Sequence, residues 1–197
     1  MTDVAIIPTG TANLASVKAA FRRLGANPII VDHADGIDQA SHVMLPGVGA
    51  FGAAMKQLAA LGLAEALKQR IAANRPTIGI CVGHQLFFAT SDESPGVTGL
   101  AIIDAHIERF PSNVRVPQFG WNKIVPEEAM NLFDEGYAYF ANSHRATAAP
   151  GWRVAKADHG GPFVAAIEKD NIMGCQFHPE LSHDFGESLL SRFLALN

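Results

Sequence analysis

The residues best suited to chemistry are Gly79-Ile80-Cys81-Val82-Gly83. An apolar run precedes them and a segment expected to be helical follows. A tight turn between strand and helix pushes its central side chain out at the carboxyl edge of a sheet. Glycines on either side let the backbone reverse without a clash. A thiol in that position faces the amide dipoles of the next helix, which favour the thiolate. The N–H of Val82, just after the nucleophile, is placed to donate to an oxyanion. The competing expectation is a packed cysteine at a helix start, because free cysteines are usually core residues.

A thiol hydrolase needs a base, and the base needs a third group to hold it. Of the eight histidines, His178 stands in Gly174-Cys175-Gln176-Phe177-His178-Pro179-Glu180, directly after an apolar run. Residues i and i+2 of an extended segment point the same way. Pro179 biases His178 toward extended geometry. Glu180 is therefore set beside the imidazole, able to accept its N–H and to stabilise the imidazolium. His33, His42, His106, His159 and His183 are scattered and show no metal-ligand spacing. No metal and no cofactor is expected. Cys175, inside an apolar run, is expected to pack rather than react.

The elements that must position these groups follow from hydrophobic periodicity. Residues 4–8, 28–31, 42–45 and 77–80 are expected as strands. Leu14, Val17, Ala20, Phe21 and Leu24 recur at helical spacing, with Asn13 as N-cap and Gly25 as stop. Residues 53–73 are expected as one or two helices, divided at Gly62, and residues 85–90 as the start of another. This alternation implies a mainly parallel sheet covered on both faces. In the second half, 100–110, 120–125, 137–141, 152–157, 163–168 and 172–177 are expected as strands, the last two joined by a turn at Lys169-Asp170-Asn171. Residues 189–196 close the chain as a helix. The fold class is α/β, a mainly parallel central sheet with additional antiparallel strands in the C-terminal half.

Bulk composition fits one domain over residues 1–197. Of these residues, 48% are hydrophobic and 17% charged, enough for a sizeable core. The formal net charge is −4 and no Lys/Arg cluster occurs, so no nucleic-acid partner is expected. No apolar stretch is long enough to span a membrane, and the start lacks the pattern of a signal peptide. A cytoplasmic location is expected, with Cys81 and Cys175 both kept as thiols.

With Cys81, His178 and Glu180 identified, the chain resembles the class I glutamine amidotransferases. Within that family, five segments in order resemble the glutaminase subunits of imidazole glycerol phosphate synthases. They are Asn13-Leu14-Ala15-Ser16-Val17-Lys18, Pro46-Gly47-Val48-Gly49-Ala50-Phe51-Gly52, Gly79 to Gln85, Phe119-Gly120-Trp121-Asn122 and Gln176 to Glu180. The resemblance implies a three-layer, flavodoxin-like fold and hydrolysis of L-glutamine through a Cys81 thioester. It also implies ammonia delivery to a cyclase subunit with a (β/α)8 barrel, in a heterodimer serving histidine biosynthesis. It implies an oxyanion hole from Val82 and from Val48 or Gly49, the second donor arriving by a peptide flip. Gly47, Gln85, Glu93, Asn142, Ser143 and His144 match glutamine-binding positions. Asn13, Trp121 and Asn122 match the partner interface.

The chain departs from the family pattern at Asn142-Ser143-His144, where relatives usually carry His-Ser-Tyr, and at His84, where Met is common. Other amidotransferase glutaminases, such as those of aminodeoxychorismate or anthranilate synthase, remain open as alternatives. So do a freestanding γ-glutamyl hydrolase and a non-catalytic regulatory subunit.

Overall fold

A computed structural model describes residues 2–10 and 14–197. Its first half alternates strands with helices: β1 (Asp3–Ile6), α1 (Leu14–Arg23), β2 (Asn27–Ile30), α2 (Ala34–Gln39), β3 (His42–Leu45), α3 (Phe51–Ala60), α4 (Leu63–Ala72), β4 (Thr77–Ile80) and the single turn α5 (Val82–Gln85). Strands dominate afterwards: β5 (Phe88–Ser91), β6 (Ile103–Arg109), β7 (Gln118–Pro126), β8 (Gly136–Asn142), β9 (His144–Ala146), β10 (Arg153–Asp158), β11 (Pro162–Lys169) and β12 (Ile172–Cys175). A 3-10 turn (Pro179–Leu181) and α6 (His183–Leu194) complete the described elements.

The sheet runs β2-β1-β3-β4-β12-β11-β10-β7-β8. The pairs from β2 through β12 are parallel, and those from β12 through β8 antiparallel. A side branch pairs β9 with β11 and β6, and β6 with β5. Strands β3, β4 and β12 are buried at every position. Their unbroken apolar character follows from burial on both faces. Helices α1 and α6 meet through the rings of Phe21 and Phe193, 6.4 Å apart. A run of buried aromatic contacts, Phe163 to Phe140 to Phe177 to Phe133, carries the core from β11 through β8 to the segment just before His178.

Several elements differ from the sequence expectation. Residues 85–90 do not begin a helix. After α5 the chain straightens into β5, because Phe87 and Phe88 are fully buried and Phe88 registers with Ile103 of β6. The closing helix begins at His183, six residues earlier than periodicity suggests. Gly186 lets it start against the preceding turn, since a Cβ there would lie 1.9 Å from the Pro179 carbonyl oxygen. Helix α2 and the three-residue β9 are too short for periodicity to reveal. The division of residues 53–73 at Gly62 holds, and Gly62 takes a φ of 67° between α3 and α4. Asn13, expected as an N-cap and interface residue, lies outside the described residues.

His84 in α5 is completely buried, and neither ring nitrogen has a hydrogen-bond partner. It packs edge-on against Phe88 and fills the space above Gly174, where a Cβ would lie 2.5 Å from Nδ1. Burial without a partner pushes its pKa down to about 3, so it folds neutral. The folded pKa is below the unfolded one, so its stabilising contribution is complete above pH 6.5 and is lost as pH falls from there toward 3. The slope is ~1.4 kcal/mol per pH unit. Between pH 7 and 4.5, a His84→Met variant is expected to lose about 2–3 kcal/mol less stability than the native chain, read by urea denaturation at both pH values.

Candidate active site

Three parallel strands deliver their carboxyl ends to one place. Strand β4 leads directly into Cys81, whose N–H donates to the Cys175 carbonyl of β12 at 2.8 Å. Cys81 takes φ 52° and ψ −109°, outside the regions an L-residue prefers. The Gln85 N–H closes the first helical turn on the Cys81 carbonyl at 3.1 Å. The neighbouring strand β3 runs so close that a Cβ on Gly83 would lie 2.0 Å from the Leu45 carbonyl oxygen. The loop after β3 comes just as close. A Cβ on Gly47 would lie 2.4 Å from the Gly83 nitrogen and 2.5 Å from the Val82 nitrogen. The elbow is thus a contact of backbone on backbone.

Strand β12 continues into Gln176, Phe177 and His178. The His178 Nδ1 lies 2.8 Å from Glu180 Oε1, and both side chains are almost fully buried. The other ring nitrogen is left for Cys81. Burial alone would lower the His178 pKa, but the hydrogen bonds to Cys81 and Glu180 and the negative charge of both outweigh it and raise it to about 10. The direction favours the charged imidazole, the form that stabilises a thiolate beside it. The His178 backbone is fixed as well. Its N–H donates to the Tyr139 carbonyl at 2.9 Å, and its carbonyl accepts from Ser182 Oγ at 2.6 Å.

Beside the sulfur lies a cavity of about 100 Å³, lined by Val48, Gly49, Cys81, Val82, Gln85, Glu93, Ala141, Asn142 and His144. Among these, Gln85 donates from Nε2 to Gln176 Oε1 at 2.8 Å and to the His144 carbonyl at 3.4 Å. Both its protons are thereby engaged, and it can offer the cavity only its oxygen. Asn142 likewise turns Nδ2 to the His144 carbonyl at 3.0 Å and keeps Oδ1 unpartnered. Glu93 sits on the turn after β5. Its Oε2 accepts the Phe51 N–H at 2.7 Å, while Ser94 Oγ accepts the Gly52 N–H at 2.9 Å, so these two residues cap α3 from far along the chain. Glu93 Oε1 lies 3.7 Å from His144 Nδ1. Burial is the main reason the His144 pKa is lowered, against the opposing pull of Glu93.

The nominated residues thus gather unevenly. Ser143, at the kink between β8 and β9, turns its carbonyl to the Phe110 N–H at 3.1 Å and does not line the cavity. Trp121 is half-exposed on one face of β7. Asn122 faces the other way and donates to the Asp158 carbonyl at 2.8 Å. Cys81 and Cys175 are both free thiols. Among the described residues, no group of His, Cys, Asp or Glu could hold a metal ion. A roomier groove of about 740 Å³ lies at the opposite, amino edge of the same strands, among Asp3, His42, Arg75 and Asn197. Sequence reasoning gave Gln176 no role, yet its Nε2 lies 3.6 Å from Cys81 Sγ. The signal was available, since Gln176 precedes His178 by two and so shares its direction.

A buried Cys-His-Glu array at the carboxyl edge of such a sheet has the parts of a thiol hydrolase. Residues 5–196 match the model of the family described as glutamine amidotransferase class-I, and the chain belongs to that family. It is 40% identical over 196 residues to the imidazole glycerol phosphate synthase subunit HisH of Methanothermobacter thermautotrophicus, covering 98% of each chain. It is 39% identical over 199 residues to the protein of the same name from Salmonella typhimurium, covering 98% of this chain and 100% of that one. Among solved structures, a glutamine amidotransferase superposes with a TM-score of 0.79 at 20% identity, over 98% of this chain and 97% of that one. PurLQS from Thermotoga maritima does so at 0.76 with 16% identity, over 98% of both. These two likenesses speak to the fold.

The backbone contact at Gly47 makes a sharp expectation. Gly47→Ala must force the loop away from the Val82 and Gly83 amides, since the added carbon would sit at 2.4–2.5 Å. Glutamine hydrolysis is expected to fall by about a hundredfold or more. Stability should fall by only ~1–3 kcal/mol. Glutamate release and a thermal melt on the same sample check both.

Proposed function

We propose that this chain is the glutaminase subunit of an imidazole glycerol phosphate synthase, acting in histidine biosynthesis as one catalytic domain. The observation that carries the chemistry is the buried line from Glu180 through His178 to Cys81, opening on a cavity rimmed by oxygen acceptors. Glutamine enters with its α-ammonium toward Gln85 Oε1, the Glu93 carboxylate and Asn142 Oδ1, all of which can only accept. Its side-chain amide then meets Cys81. The thiolate attacks the amide carbon, and the oxyanion takes the Val82 N–H together with an amide of the Val48–Gly49 loop. His178 gives its proton to the departing ammonia and, now neutral, takes one from the water that hydrolyses the thioester. Glu180 holds the imidazole and stabilises its charged form. Ser143 and His144 shape the cavity through the kink between β8 and β9.

Gly49 takes a φ of 119°, a conformation that leaves its peptide free to turn where a side chain would resist. Such a turn would bring the second oxyanion donor into place when the partner binds, which makes hydrolysis depend on the partner. For that partner we favour a cyclase subunit with a (β/α)8 barrel, forming a heterodimer. The face offered to it is the β7–β8 hairpin, where Phe119, Trp121 and Tyr137 stand exposed at 65%, 50% and 59%. Trp121 registers with Tyr139 across the hairpin and stacks on His183. Exposed aromatic rings of this kind anchor interfaces. No helix among the described residues is long and apolar enough to cross a membrane, and we assign the enzyme to the cytoplasm.

The test is glutamate release from glutamine, by the chain alone and with the cyclase subunit holding its nucleotide ligand. A rise of at least about tenfold with the liganded cyclase is expected, with no activity left in Cys81→Ala. Glu180→Gln should lower kcat by about 10²- to 10⁴-fold with little change in KM. High activity indifferent to the cyclase would keep the hydrolase and refute the partner.

A further inference from the structure

Gln176 is completely buried at the end of β12, its backbone N–H fixed to the Ala165 carbonyl at 2.9 Å. Its side chain lies between two others, with Oε1 2.8 Å from Gln85 Nε2 and Nε2 3.6 Å from Cys81 Sγ. The polarity of this chain is fixed at its far end. The His144 backbone carbonyl can only accept, so the end of Gln85 that faces it must be the NH2 group. That NH2 group requires an oxygen on Gln176. The remaining end of Gln176, the one turned to the sulfur, is then its nitrogen.

We infer that Gln176 is a second N–H donor to the nucleophilic sulfur, aimed there by Gln85 and through it by the His144 carbonyl. The inference rests on the reading of Cys81 as nucleophile. His178 and Gln176 approach the sulfur from the segment after β12, two residues apart, and together give the thiolate two donors where Cys81 is almost fully buried. A hydrogen bond to a charged acceptor is among the stronger kinds. The donor matters twice in the cycle. It favours the thiolate before attack. It also receives the sulfur when the carbon–sulfur bond breaks during hydrolysis of the thioester, as the bonding pair returns to sulfur. Gln176 touches the reacting atom; Gln85 acts through it as a positioning residue. Gln85 therefore has two roles on its two ends, with its oxygen toward the substrate cavity and its nitrogen toward Gln176.

Alkylation of Cys81 by iodoacetamide tests this without glutamine, because only the thiolate displaces iodide at a useful rate. Labelling at Cys81 is followed by peptide mass spectrometry, which separates it from Cys175. For Gln176→Leu, close in volume but without a donor, the rate at pH 7 is expected to fall about ten- to a hundredfold. The difference should close at alkaline pH, where the thiol ionises without help. Gln85→Leu should move the same way by a smaller factor, since it frees the Gln176 amide to rotate, and it carries the test if Gln176→Leu does not fold. A rate equal to native, or lowered by one factor at every pH, would overturn the inference. Failure of the native Cys81 to react at any pH would instead sink its reading as nucleophile, and this inference with it.

Discussion

Everything at the carboxyl edge depends on one steric constraint: two backbones touch where side chains would normally separate them. Gly83 lies on the Leu45 carbonyl, and Gly47 lies on the Val82 and Gly83 amides. Contact this close leaves the first amides of α5 and the loop after β3 side by side next to Cys81. It also holds Cys81 at φ 52°, a conformation costing about 1–3 kcal/mol that persists only because its surroundings over-determine it. The core around it, with β3, β4 and β12 buried on both faces, is what can hold that strain.

The one-turn length of α5 changes the electrostatic account of the sulfur. A long helix would set a macrodipole behind Cys81, but four residues end in β5 before one can accumulate. Charge on the sulfur therefore has to be met by local donors. They come from β12, the strand beside the elbow, as the imidazolium of His178 and the amide of Gln176. Both stand on the short segment after β12, whose backbone is tied down by the Gln176 N–H to the Ala165 carbonyl and the His178 N–H to the Tyr139 carbonyl.

Much of this was legible in the sequence, for identifiable reasons. Cys81, His178 and Glu180 sit in short segments where local geometry fixes direction: a glycine-flanked turn, an extended run and a proline. Residues 85–90 were not legible because an apolar run of that length is equally compatible with a buried strand or a helix. Only pairing of Phe88 with Ile103 decides it. The capping of α3 by Glu93 and Ser94, and the path from Gln85 to Cys81, join residues 42 to 95 positions apart. No local pattern can announce contacts of that range. The motif marks Gln176 but says nothing of what it touches.

The same long-range contacts tie the outer face to the chemistry. The hairpin that exposes Trp121 also contains Tyr139, whose carbonyl holds the His178 N–H and whose N–H is held by Ser182 Oγ at 3.0 Å. Ser182 Oγ in turn donates to the His178 carbonyl, so the residue lying across from Trp121 is bonded to both ends of the His178 segment. On the other side, Glu93 joins the cavity beside Cys81 to the first amide of α3, directly after the Gly47–Gly49 loop. Under the proposed function, a partner pressing on the hairpin would act on His178 and a substrate engaging Glu93 would act on the Gly47–Gly49 loop, two parts of the same array. Coupling of this kind needs no distant pathway, because β8 alone bonds to the His178 backbone through Tyr139 and lines the cavity beside Cys81 with Ala141 and Asn142.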